Sequence, residues 1–373
     1  MNPKYKELLA PFTLNNGVTL KNRVVMAPMT TWSGNADFTI SDEEVTYYNN
    51  RVNGVGLVIT GCTHITANGI GFTDEFAGFD DKFIPSLRKL ASAAKRGEAP
   101  AILQIFHAGN KAIPELIPDR DLVSASAVQG SPFGKTPRAL SHEEIMSMIK
   151  AFGETTRRAI EAGFDGVEIH GAHGFLIQNF LSPYFNQRTD QWGGTLENRL
   201  RFPLEVVREV EQVIKKYAEK PFILGYRFSP EERSQPGGLR MEEAYVLIDR
   251  LAEQKVDYIH ASLDHVLSSP VETQSEKTRL ELIAEYVDGR VPLIVAGSVI
   301  EPSLAAKALE SGVSLIAIGR GLIMNPNWVE LVESGQEDQI ESVVKTSKLS
   351  QLQIPEKLWN IIQTSQGWIP FSK

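Results

Sequence analysis

The amino-acid sequence predicts an α/β fold: a (β/α)8 TIM barrel, one domain over residues 1–373. Three observations carry this. Short apolar runs alternate with longer amphipathic stretches from end to end, and there are eight such units. No Gly-rich dinucleotide fingerprint follows the first run, where an open doubly wound sheet would place one; Met26-Ala27-Pro28-Met29-Thr30 stands there instead.

The strand candidates are Val24–Ala27, Val55–Thr60, Ala101–His107, Gly166–His170, Phe222–Phe228, Val256–Ser262, Leu293–Ala296 and Leu315–Gly319. They are rich in Val, Ile and Leu and mostly unbroken, as strands covered on both faces should be. The stretches between them repeat at the helical period. Ile145, Met148, Ile149, Phe152, Ala159 and Ile160 share one helix face, with Ser141 and Glu144 as a capping box. Ala244, Leu247 and Leu251 form another such face, and Leu304, Ala305, Ala308 and Leu309 a third.

Two segments break the rhythm. Residues 108–140 carry Pro114, Pro118, Pro132 and Pro137 and no helical period. A loop this long after strand three is expected to form a lid over the catalytic face. The tail from about 336 to 373 predicts two helices and ends Trp368-Ile369-Pro370-Phe371. It is expected either to close the barrel or to reach a neighbouring subunit in a homo-oligomer.

Composition narrows the function. Thirty-eight basic against 46 acidic residues give a net charge of −8, which argues against nucleic acid as the main partner. No run of eighteen apolar residues exists, so no membrane span is expected, and the start has no apolar signal core. The one cysteine, Cys62, cannot make an internal disulfide, an iron–sulfur cluster or a cysteine-based zinc site, and is read as a buried structural thiol. A reduced, cytoplasmic enzyme acting on a small molecule fits these bounds. Some motifs are discounted. Gly130–Thr136 has one residue too few between its glycines for a P-loop, and no strand leads into it. His142-Glu143 lacks the second histidine of a zinc protease.

Catalytic groups of this fold lie at the C-terminal ends of the strands. Gly297-Ser298 after strand seven and Gly319-Arg320 after strand eight make a phosphate site of close backbone approach and positive charge. His170 and His173 after strand four can point two imidazoles at one oxygen atom. From spacing alone three readings stay open for this pair: oxyanion donors, metal ligands with His107 or His260, or structural histidines.

The residues then resemble a family. The blocks Leu20–Met29, Gln104–Ala112, His170–Pro183, Asn186–Gly194, Glu197–Arg199, Gly319-Arg320 and Asn325-Pro326, in this order, resemble the Old Yellow Enzyme family of FMN-dependent oxidoreductases from about Leu9 to Trp328. The resemblance implies non-covalent FMN, with NADPH or NADH as reductant and no metal. It implies a flavin ring near Ala27, Pro28, Met29 and Thr30, with Thr30 tuning the flavin. It places Gly61, Gln104 and Arg227 at the pyrimidine edge, and Gly297, Ser298, Gly319 and Arg320 at the phosphate. His170 and His173 would bind the electron-withdrawing oxygen of an acceptor such as an enone, quinone or nitro compound, after ping-pong hydride transfer through the flavin. Two other function classes compete: a flavin-binding protein with little turnover, and a zinc-dependent barrel hydrolase.

Three positions depart from the family pattern. Thr30 stands where many bacterial members carry a cysteine, and Trp32 where they carry a substrate-site tyrosine. Phe175 stands where the family's proton-donating tyrosine is expected. Phenylalanine has no proton to give, so alkene reduction is expected to be weakened unless water or another group replaces it. His265 and Tyr184 are the first candidates.

Overall fold

The computed structural model describes residues 2–372 apart from Pro132, Phe133, Ser234 and residues 272–274. Its centre is a closed barrel of β1 (Val24–Met26), β2 (Leu57–Ile59), β3 (Ala101–Phe106), β4 (Gly166–Gly171), β5 (Ile223–Phe228), β6 (Tyr258–Ser262), β7 (Leu293–Ala296) and β8 (Leu315–Ile318). Seven lie within the predicted runs, trimmed by a residue or two at some ends, and β4 runs one residue past its own, to Gly171. Neighbours pair in parallel, and the ring closes where Ile316 and Ile318 of β8 meet Val24 and Met26 of β1.

Among the described residues, helices α1 (Asp42–Arg51), α2 (Ile84–Ala94), α3 (His142–Ala162), α4 (Leu196–Tyr217), α5 (Met241–Glu253), α6 (Arg279–Val287), α7 (Pro302–Glu310) and α8 (Trp328–Ser334) wrap the barrel. α3 shows how the sequence sets their ends. Ser141 accepts from the Glu144 N–H while the Glu144 carboxylate accepts from the Ser141 N–H, and the helix stops at Gly163 with φ +89. Its buried face holds Ile145, Met148, Ile149, Phe152 and Ala159, as the period predicts.

Strand alternation sorts the side chains into two cores. Val24, Met26, Val58, Leu103, Ile105, Val167, Ile169 and Leu224 face the helices. Val25, Ala27, Leu57, Ile59, Ile102, Ile223, Tyr258, Ile294 and Leu315 fill the barrel. A hairpin of Phe12–Thr13 against Thr19–Leu20 plugs the lower end with Leu14 and Leu20. The same alternation turns Gln104, Glu168, His170, Arg227 and His260 inward near the upper end.

The lid holds two 3-10 turns, Gly109–Lys111 and Pro118–Arg120, and a two-residue ladder between Val123–Ser124 and Arg138–Ala139. It covers an apolar cluster that includes Cys62, Phe106, Ile117, Leu122 and Phe175. Part of the discounted P-loop segment, Pro132 and Phe133, lies outside the described residues. The tail forms the two predicted helices, Leu349–Leu352 and Glu356–Thr364, and its end pairs with Val344–Lys345. Arg51 anchors it: this fully buried guanidinium donates to Leu352 O at 2.6 Å and lies 3.7 Å from the Tyr47 ring centroid. No helix among the described residues is long and apolar enough to cross a membrane.

One turn before Tyr48 in α1, Glu44 is buried under the segment that leaves β1. Its Oε2 accepts from Thr31 Oγ1 at 2.5 Å and its Oε1 has no hydrogen-bond partner among the described residues. Burial pushes this carboxyl from 4.5 up to about 7, against the pull of Thr31 and Arg51. The folded state therefore binds the proton more tightly than the unfolded chain. The stability this gives is complete below pH 4.5 and is lost as pH rises through about 7. Glu44→Gln is expected to flatten that window, making the loss of unfolding free energy between pH 5 and pH 8 smaller by about 3 kcal/mol at most. Urea unfolding of both proteins at the two pH values checks this; equal losses would refute it.

Candidate active site

The upper end of the barrel is floored by a buried polar layer. Gln104 Nε2 donates to Glu168 Oε1 at 2.7 Å, and His260 Nδ1 meets Glu168 Oε2 at 2.9 Å. Burial opposes a charge on Glu168, but His260, Arg227 and Gln104 outweigh it and hold the carboxyl below its ordinary range. The register places Arg227 between His170 on β4 and His260 on β6. Arg227 donates to Ser262 Oγ at 3.0 Å, while its Nε is buried without a partner among the described residues.

Above this layer stand the paired imidazoles. The His170 and His173 rings are 5.0 Å apart, centroid to centroid, at 78°. His170 Nδ1 accepts from the Ala172 N–H at 3.2 Å, so its proton is on Nε2. His173 has φ +60 and is followed by Gly174 at φ +70, a tight left-handed turn that brings the second ring back beside the first. His173 Nε2 is 2.7 Å from Ser262 Oγ, which leaves Nδ1 free. Burial first, then the mutual His170–His173 interaction and the Arg227 charge, pulls the His170 pKa well below 6.5. Desolvation and the charges of Arg227 and Lys111 do the same to His173.

Beside the pair opens a cavity of about 280 Å³ that brings together Ala27, Met29, His173, Arg227, Gly297, Ser298, Gly319 and Arg320. Its glycines are needed for close approach. A Cβ on Gly297 would lie 2.8 Å from Val266 N, and one on Gly319 2.8 Å from Met29 Sδ. Arg320 bonds Ser298 Oγ and donates to Trp368 O at 2.8 Å. Asp264 also lines the cavity, with its carboxylate paired to Arg279 and Arg233. The cradle thus offers backbone donors and a guanidinium to an anion.

The other predicted residues are not among those that line this cavity. Thr30 Oγ1 lies 3.5 Å from Cys62 Sγ. Cys62 is buried, and desolvation raises its pKa, so the thiol is protonated. The Gly61 N–H donates to Tyr48 OH at 2.9 Å, and a Cβ there would meet Met29 O at 2.7 Å. Pro28 follows Ala27 out of β1. Trp32, held at φ +52, meets Phe72 and Trp368 edge to face at 5.7 and 5.8 Å. Phe175 is ringed by Phe72, Phe106, His170 and His173.

His265 and Tyr184 do not reach Phe175. The His265 ring accepts from Leu267 N–H behind the cradle, and Tyr184 is exposed against Phe185. Among the described residues no three His, Cys, Asp or Glu groups are placed to hold a metal. Sequence reasoning missed Ser262, Phe72, Lys111 and the mouth-closing role of Trp368. Ser262 was within reach, as an inward position at the end of a predicted strand. The others lie on loops that no periodicity places.

The fold and the mouth define a class: (β/α)8 barrel proteins with a glycine and arginine cradle beside paired imidazoles. Known proteins narrow the class. The profile of the NADH:flavin oxidoreductase / NADH oxidase family matches residues 7–339. The chain is 47% identical over 373 residues to the probable NADH-dependent flavin oxidoreductase YqiG of Bacillus subtilis, covering 100% of both. It is 36% identical over 327 residues to an NADPH dehydrogenase of Bacillus cytotoxicus, covering 86% of this chain and 90% of that one. A solved Old Yellow Enzyme homologue from Zymomonas mobilis superposes with a TM-score of 0.75 at 25% identity, over 88% of this chain and 93% of that one. This chain belongs to the NADH:flavin oxidoreductase / NADH oxidase family, the Old Yellow Enzyme group. It is an oxidoreductase whose cofactor is FMN and whose reductant is NADH or NADPH.

The desolvation around the histidines has a direct consequence. At pH 6.5 an ordinary imidazole is half protonated, whereas both His170 and His173 are expected to be neutral there. Nitrogen NMR of the labelled protein reads this from the ring shifts. A pair more than half protonated at that pH would contradict the electrostatic picture.

Proposed function

We propose that the protein carries hydride equivalents from NAD(P)H to small electrophilic acceptors, enones, quinones and nitro compounds among them, in two alternating half-reactions at this one mouth. The observation that carries the reading is the pair of facing imidazoles beside a buried arginine. A site that only stored a cofactor would need no convergent donors aimed at an oxygen atom.

The residues fit FMN. Gly297, Ser298, Gly319 and Arg320 would hold its phosphate, and the cavity has room for backbone approach there. Ala27, Pro28, Met29 and Thr30 would support the ring, with Gly61 and Gln104 at its pyrimidine edge. The Nε of Arg227 is a buried donor without a hydrogen-bond partner among the described residues. Bound there, FMN supplies two-electron redox chemistry, and the fixed charge of Arg227 favours its anionic reduced form.

The chain's own groups do the rest. His170 Nε2–H and His173 Nδ1–H donate to the electron-withdrawing oxygen of the acceptor and stabilise the negative charge that grows on it. Ser262 holds the second ring in place and relays the position of Arg227 to it. Trp32, Phe72, Phe175 and Trp368 form an aromatic wall suited to flat acceptors and to a nicotinamide ring.

Two outcomes follow. Arg320→Ala removes a charge-assisted contact worth about 1.5–3 kcal/mol, so FMN retention is expected to weaken roughly 10- to 150-fold. Fluorescence titration of the apoprotein measures it, and unaltered affinity would place the phosphate elsewhere. His170→Ala or His173→Ala is expected to slow reoxidation by 2-cyclohexenone about 100- to 1,000-fold while FMN content hardly changes. A phenol, which mimics the oxyanion, should give a long-wavelength charge-transfer band with the wild type and a weaker band with either variant. Full-strength bands and rates in both variants would overturn the assignment.

A further inference from the structure

Reduction of an alkene needs a proton delivered to carbon, and Phe175 cannot deliver one. We propose that the Lys111 ammonium is the proton donor of this site, taking over the task that a tyrosine at position 175 would perform. The inference rests on the proposed function above.

Four observations place it. Lys111 Nζ donates to His173 O at 2.6 Å and lies 5.7 Å from the centroid of the Phe175 ring, so it stands at the junction of the histidine pair and the residue that lost its hydroxyl. The backbone keeps space for it. Gly174, at φ +70, has no Cβ, and one built there would lie 3.0 Å from Lys111 Nζ. The frame around it is rigid: Asn179 Oδ1 accepts from the Asn110 N–H at 3.2 Å while Asn179 Nδ2 donates to Gly174 O at 2.9 Å. One asparagine thus fixes both the residue before the lysine and the turn that carries His173.

The fourth observation is elimination. The groups whose charge acts on the histidine pair are Arg227, Lys111 and His260, and His260 is buried against Glu168 in the layer below. Arg227 is buried and does not release its proton at any working pH. Lys111 is solvent-exposed, so water can reprotonate it. It has no ion-pair partner among the described residues. Glu232, the carboxylate whose field reaches it, is bonded to Gln178, Ser182 and the Leu239 N–H. Although the side chain reaches solvent, the surrounding walls of the mouth lower the ammonium pKa by desolvation, which makes it a stronger acid than a free lysine.

The chemistry balances. An enone that has received hydride at its β-carbon from the reduced cofactor is an enolate, with its electron pair on the oxygen held by His170 and His173. The α-carbon of the enolate takes the Nζ proton, a C–H bond forms, and the neutral amine regains a proton from water. The alkene is reduced by two electrons and the cofactor oxidised by two. Quinones and nitro compounds take their protons on oxygen and do not need the lysine.

The test compares stopped-flow reoxidation of the FMN-loaded holoenzyme by 2-cyclohexenone and by benzoquinone. In Lys111→Met the ratio of the enone rate to the quinone rate is expected to fall about 100-fold or more. Lys111→Arg keeps the charge without an available proton, so its ratio should fall as far. The pH at which the phenol charge-transfer band appears, with the histidines intact, reads positive charge at the mouth and not a transferable proton; it should rise in Lys111→Met and return to its wild-type value in Lys111→Arg. In the Lys111→Met background, Phe175→Tyr should win back part of the lost ratio, because it returns a proton donor to the same junction. An unchanged ratio in Lys111→Met or a wild-type ratio in Lys111→Arg would each overturn the proposal. A wild-type protein that takes up no FMN overturns the proposed function itself.

Discussion

The parallel register around Arg227 is the constraint on which the site depends. Once β5 pairs with β4 and β6 so that Arg227 lies between His170 and His260, three inward positions are fixed at one height of the barrel. A closed barrel leaves no freedom to slip by one residue, because a slip would turn every inward side chain out among the helices. Glu168, two residues below His170, then falls where the charge of Arg227 acts on it and where it fixes Gln104 and His260. The buried charges are tolerable only as a group, since each alone would carry a large desolvation cost.

Loops complete what the strands begin. The turn after β4 uses two consecutive left-handed residues, His173 and Gly174, to fold the second imidazole back over the barrel. Asn179 ties that turn to the start of the lid, and the lid closes an apolar cluster over Phe175 and Cys62. From the other side the tail, pinned by buried Arg51, lays Trp368 against Trp32 and its carbonyl on Arg320. The tail therefore reaches the mouth of its own chain.

Charge follows the same division. The chain as a whole is acidic, at −8, yet the mouth is cationic in effect. Its two acids, Glu168 and Asp264, are both paired, while Arg227, Arg320 and Lys111 remain available to negative charge. Burial and the neighbouring positive charges act together on the histidines, holding both pKa values well below the ordinary imidazole range.

The sequence by itself determined the barrel, because strand and helix periods are local and each of the eight units carries its own. It determined as well the cradle glycines, the histidine pair and the missing hydroxyl at Phe175, since all of these stand at strand ends or in short motifs next to them. Tertiary structure alone decided which residues meet. Lys111 and Gly174 are 63 positions apart, and Trp32 and Trp368 are separated by most of the chain. Their contacts arise from the closure of the barrel and the path of two irregular segments. No periodicity encodes such a path, because irregular backbone is held by individual hydrogen bonds, such as those of Asn179 and Arg51, rather than by a repeating pattern.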